Sequence, residues 1–99
     1  MNLVEILIVG TNVPIMNTIQ RLINQNETWR ATIAETNEQA IDSCAENNFG
    51  LVLLCAGIEN ERELKIELER QHPHLPVIIH YGGGSGLLYT EIYQGLTSY

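Results

Sequence analysis

Leu51-Val52-Leu53-Leu54-Cys55 is the most apolar run in the chain, and its reading decides the fold. A short continuous run of this kind, preceded by the turn-forming Asn47-Asn48, reads as a strand buried on both faces. Strands covered on both sides belong to parallel sheets with helices packed above and below. Upstream, Leu3-Val4-Glu5-Ile6-Leu7-Ile8-Val9 ends at Gly10 and reads as another buried strand. Asn12 then supplies a helix cap and Pro14 a first-turn proline. Ile15, Met16, Ile19, Leu22 and Ile23 follow at 3/4 spacing, so an amphipathic helix is expected over 14–25. Trp29 to Ala34 alternates as a second strand. Thr36 with Gln39 resembles a capping box, and behind it Ala40, Ile41, Cys44 and Ala45 form the stripe of a second helix.

Downstream, residues 60–71 are charge-rich with only Leu64 and Leu68 on an inner face, which predicts a solvated helix carrying i,i+4 ion pairs. Pro73 stops it, and Pro76-Val77-Ile78-Ile79-His80-Tyr81 reads as a fourth strand. Gly82-Gly83-Gly84-Ser85-Gly86 is expected to be a loop, and Leu88, Tyr89, Ile92 and Tyr93 the face of a last short helix. The order is βαβαβαβα. Right-handed crossovers turn that order into a three-layer α/β/α domain over 1–99, with a parallel sheet between helices.

The bulk properties exclude several functions. The chain has 99 residues, enough for one domain and a small core. Twelve Asp and Glu against five Lys and Arg give a net charge of −7, a surface that repels a nucleic-acid backbone. No apolar run approaches the roughly 20 residues of a membrane span. The N-terminus has neither the basic start nor the cleavage site of a secretory signal. Two cysteines without metal-type spacing suit a reduced, cytoplasmic setting.

Four segments in order resemble receiver domains of bacterial two-component response regulators, the CheY-like branch of the flavodoxin-like fold. Ile6-Leu7-Ile8-Val9 with Asn12 resembles the family's opening strand ILIVDDN, and Phe49 to Cys55 resembles PDLVLLD. His72 to Ile79 resembles YPDLPVIVLTA. Gly95-Leu96-Thr97-Ser98-Tyr99 resembles the approach to a fifth strand. The resemblance implies a strand order 2-1-3-4, part of the 2-1-3-4-5 order of that fold with the fifth β-α unit missing.

The departures from the family carry the functional expectation. Gly10 and Thr11 stand where receivers have the two acids that hold Mg²⁺. Cys55 stands at the phosphate-accepting aspartate, and Tyr81 at the Thr/Ser that senses the phosphoryl group. Phosphoryl transfer to a carboxylate needs both the nucleophile and a cation against the developing charge. Mg²⁺ wants oxygen ligands, commonly one or two carboxylates, and a thiol suits it poorly. The only aspartate, Asp42, falls mid-helix. The expectation is a pseudo-receiver, not an enzyme, with no cofactor and no metal, that signals through protein contacts in its pathway.

Other candidate sites read more plainly. Cys55 as a reactive thiol would need a cation nearby, and none is close in sequence, so it reads as a small buried residue. Cys44 reads as packing. A small-ligand or phosphate-binding flavodoxin-like module using Gly10, Thr11, Cys55 and the glycine loop is the main alternative, though the loop lacks the Lys-Ser/Thr of a P-loop. His72, His74 and His80 would make a metal site only by converging. By analogy with the family's output face, His80, Tyr81, Tyr89 and Tyr93 are the expected partner-facing residues. A missing fifth unit would leave Val77, Ile78 and Ile79 as an open edge and the stripe Ile15, Ile19, Leu22, Ile23 without its neighbour. Leaving such side chains wet costs on the order of 1.5–3 kcal/mol each, so a homodimer covering them is expected.

Overall fold

The computed structural model describes residues 3–55, 57–80 and 84–97. Four strands and four helices alternate along the chain: β1 Val4–Val9, α1 Val13–Asn24, β2 Trp29–Ala34, α2 Asn37–Glu46, β3 Leu51–Leu54, α3 Glu61–Gln71, β4 Val77–Ile79 and α4 Gly84–Thr97. The sheet is parallel throughout, in the order β2-β1-β3-β4. β3 is buried at every position, as its composition demands. The expected caps are present. The Asn12 side chain accepts from the Ile15 N–H at 3.2 Å, and Thr36 Oγ1 accepts from the Gln39 N–H at 3.0 Å. Gln39 Oε1 returns to accept the Glu35 N–H at 2.8 Å, completing a reciprocal cap one residue upstream of the standard box. On α3, Leu64 and Leu68 are buried, while Lys65 pairs with Glu69 and Arg70 with Glu67 along the wet face.

Each face of the sheet has its own core. Ile6, Ile8, Leu51, Leu53 and Cys55 pack against Met16, Ile19 and Ile23 of α1 and Leu88 and Ile92 of α4. Leu7, Val9, Val52, Leu54 and Val77 pack against Ala40 and Cys44 of α2 and Leu64 and Leu68 of α3. So α1 and α4 share one face, and α2 and α3 the other.

That placement corrects three expectations. First, a right-handed crossover from β4 to a strand beyond it would carry its helix over the α2/α3 face. α4 lies on the opposite face, beside α1, so it is not placed as such a crossover. Second, α4 covers the α1 stripe. Ile19 and Ile23 are buried, Leu22 is packed against the core, and the Tyr89 hydroxyl donates to the Leu22 carbonyl at 3.1 Å. Only Ile15 of that stripe stays exposed, at 53%. Third, Gly95 to Thr97, the start of the segment that resembles the approach to a fifth strand, belong to α4, and Ser98 and Tyr99 lie outside the described residues. A Cβ on Gly95 would meet Leu51 Cδ1 at 2.5 Å, so a residue without a side chain is what lets the helix lie so close to the sheet.

The glycine loop is also shorter than expected, because Gly84 to Gly86 are the first turn of α4. Gly82 and Gly83 lie outside the described residues, as does Tyr81. Among the described residues, no helix is long and apolar enough to cross a membrane.

Candidate functional site

The C-terminal rim of the sheet is where open α/β folds place their ligands, at the point where strand order reverses. Here that point lies between β1 and β3. Backbone bonds tie the rim together: the Cys55 N–H donates to Val9 O at 2.8 Å, and the His80 N–H to Leu54 O at 2.8 Å. Gly10, Thr11, Cys55 and His80 are thereby brought to one edge.

A side chain at Gly10 would be crowded. A Cβ built there would stand 3.0 Å from Met16 Sδ and 3.1 Å from Cys55 Cβ. The first atom of any side chain there would press on a thioether and on the thiol-bearing side chain, which would have to give by a few tenths of an ångström. Thr11 Oγ1 donates to Gly57 O at 3.3 Å, and Gly57 itself sits at φ 92, in the left-handed region that favours glycine. Cys55 is 5% exposed, and burial, followed by the nearby Glu91 carboxylate, pushes its thiol up to about 11. A buried, protonated thiol is neither a nucleophile nor a ligand for a hard cation. The residues present therefore do not fit Mg²⁺, and no group of three or more His, Cys, Asp or Glu among the described residues could hold a metal ion.

Beside this packed corner lies a cleft of about 480 Å³ lined by Gly10, Thr11, Thr36, Gly57 and the glutamates Glu35, Glu38 and Glu59. None of those carboxylates is ion-paired among the described residues. A phosphate entering there would meet three negative charges. The amide groups at the start of α1 offer little relief, since the Asn12 side chain already takes one and Pro14 has none to give.

His80 turns inward, where its Nδ1 hydrogen-bonds Glu91 Oε1 of α4, leaving the ring 9% exposed. This pair went unread in the sequence because Glu91 is eleven residues away on what looked like a plain helix face. His80 also stands apart from His72 and His74. Those two precede β4 and line a separate cleft with Cys44, Asn47 and Asn48, so the three histidines do not converge.

Among the described residues, the expected partner-facing His80, Tyr89 and Tyr93 do not share one exposed surface, and His80 and Tyr89 need correction. His80 is spent on Glu91. Tyr89 is half-buried, bonded to Leu22 O and tilted on Trp29 at a centroid distance of 6.1 Å. Tyr93 lies 5.1 Å from the same indole but keeps 54% exposure, and at two residues from Glu91 it falls on the other side of α4 from the His80 contact. Tyr81 lies outside the described residues. β4, by contrast, has no strand beyond it among the described residues, and Ile78 and Ile79 line a groove of about 320 Å³ with Glu91, Gln94 and Gly95 of α4.

No protein-family model matches the sequence, and no curated protein matches it either. Solved structures do match. The signal receiver domain of an HD domain-containing protein from Pseudomonas fluorescens Pf-5 superposes with a TM-score of 0.86 at 17% identity, over 99% of this chain and 90% of that one. A CheY-like response regulator receiver domain protein from Methanospirillum hungatei JF-1 also gives 0.86 at 17% identity, over 98% and 96%. A LuxR family DNA-binding response regulator from Silicibacter pomeroyi gives 0.84 at 19% identity, over 97% and 92%. At these identities the likeness is one of fold. Strand order, helix placement on the α2/α3 face and superposition agree: this chain has the CheY-like receiver fold of response regulators.

Proposed function

We propose that residues 1–99 form one regulatory module of the two-component type that takes up no aspartyl phosphate and signals by protein contact. One observation carries this reading: a Cβ at Gly10 would press on Met16 and Cys55, so a metal-binding acid at that place would be crowded as well as being absent from the sequence. Cys55, at the phosphoacceptor position, is buried and held protonated. In this reading the chain is not an enzyme, uses no cofactor and acts in the cytoplasm. The three carboxylates of the neighbouring cleft weigh against the phosphate-binding alternative built on Gly10, Thr11 and Cys55.

What remains for signalling is surface. Val77, Ile78 and Ile79 form an open strand edge, and Tyr93 adds an exposed ring on the α1/α4 side. A homodimer is the simplest assembly on such an edge. Incubation with acetyl phosphate and Mg²⁺, followed by intact mass, tests the reading. The unmodified mass is expected, and gain of a phosphoryl group would overturn it.

A further inference from the structure

We propose that two copies of this chain pair through β4, antiparallel about a two-fold axis at Ile78, joining their sheets into one. The proposal rests on the reading of the chain as a protein-contact module and names the partner.

The edge is self-complementary. Pro76 O accepts from the Val52 N–H and the His80 N–H donates to Leu54 O, so residues 76, 78 and 80 direct their backbone groups at β3. The N–H and C=O of Val77 and Ile79 therefore point outward. An antiparallel two-fold sets Val77 opposite the partner's Ile79 and Ile79 opposite the partner's Val77. Each such pair exchanges two hydrogen bonds, with Ile78 facing its own copy between them.

Apart from being short, at three residues, the edge lacks the usual protection. Natural edge strands carry lysines, inward charges, bulges or prolines that block pairing. Val77-Ile78-Ile79 is an unbroken β-branched run, and Pro76 sits outside it on the side facing β3. Between residues 71 and 99 there is no Lys or Arg, and Glu91 is the one acid, already bonded to His80.

Charge selects the occupant. The chain carries −7, yet eleven of its twelve acids and all five bases lie at or before residue 70. Two copies meeting through β4 and α4 bring only two hydrogen-bonded glutamates to the seam, so their mutual repulsion acts at a distance and is screened by salt. A basic partner would find its complement elsewhere on the molecule. Three strand residues alone bury too little for a stable interface, which needs about 1,200–2,000 Å² in total. The two-fold brings the grooves of Ile78, Gln94 and Gly95 together along the seam, and the flanking helices supply the remaining area.

Sedimentation equilibrium of the full chain is expected to give a dimer at micromolar concentration. Ile79→Pro removes one outward N–H and no bond to β3. It is expected to weaken dimerisation at least about tenfold while the emission of buried Trp29 stays native. Ile78→Cys is expected to oxidise to a covalent dimer, because opposed residues of this kind lie about 4.5 Å apart at Cα, within disulfide range. Ile66→Cys, on exposed α3, controls for random collision. A wild-type monomer overturns the proposal, as does a dimer indifferent to Ile79→Pro with native Trp29 emission, or equal cross-linking at 66 and 78. Should Ile79→Pro not fold, the comparison of 78 with 66 decides. A monomer that still refuses acetyl phosphate sinks the pairing and leaves the protein-contact reading standing; a dimer that gains a phosphoryl group does the reverse.

Discussion

At the scale of single residues, the rim is defined by what fills it. Gly10, Thr11 and Cys55 stand out in the sequence through the resemblance to receivers, which sets them against acids at the ends of two readable strands. That Met16 crowds that place was not legible, since its spacing marks it only as one member of a helix stripe. The consequence is that restoring one acid does not restore the site. Gly10→Asp is expected to destabilise the protein by about 1–3 kcal/mol through overpacking against Met16 and Cys55. Urea denaturation followed by Trp29 emission measures that loss, and calorimetric titration is expected to show no Mg²⁺ binding by the variant. The thiols make a second prediction. Cys44 and Cys55 hold their protons up to about 11 in the folded chain, against an ordinary value of 9.0. Between those values the folded state binds more protons than the unfolded one, so stability falls as pH rises through that window. Denaturation midpoints at about pH 8 and about pH 10.5 check the sign. Alkylation of Cys55 at neutral pH is expected to be at least about 100-fold slower than in denaturant, from the thiolate fraction alone.

At the scale of elements, caps and periodicity carried most of the reading. β2 runs over Trp29 to Ala34 as its alternation predicts, and α2 begins after Thr36 because that side chain satisfies the Gln39 N–H. Thr36→Ala is expected to cost about 1 kcal/mol, readable in the same denaturation experiment. α4 was the element least legible. Five residues of Gly82 to Gly86 signal a loop by composition, yet the helix starts at Gly84. Its 3/4 stripe shows that Leu88 and Ile92 face a core but not which face of the sheet they meet. That choice rests on contacts distant in sequence: Tyr89 with Leu22, both tyrosine rings with Trp29, and Gly95 against Leu51. Gly95→Ala tests it. A helix interior ordinarily gains up to about 1 kcal/mol from that change. Here the added Cβ is expected to reverse the sign and lower stability, because it would press on a buried leucine.

At the scale of the whole molecule, strand order followed from the order of elements and the handedness of crossovers, and the structure has it as β2-β1-β3-β4. The uncovered α1 stripe did not survive, because α4 lies over it. The proposed contact surface is thereby narrowed to the β4 edge and its groove. The same arrangement separates two properties that an active receiver combines. The rim between β1 and β3 is tightly packed at Gly10 and acidic beside it, while β4 is the edge of the described sheet and nearly free of charge. In the proposed reading, phosphoryl chemistry is absent from the first place and contact is made at the second. The most direct measurement on that claim is intact mass spectrometry after incubation with acetyl phosphate and Mg²⁺, with Trp29 emission recorded during a parallel titration of beryllofluoride. The account predicts an unchanged mass and an unchanged emission. A phosphoryl adduct, or a saturable emission change that requires Mg²⁺, would contradict it.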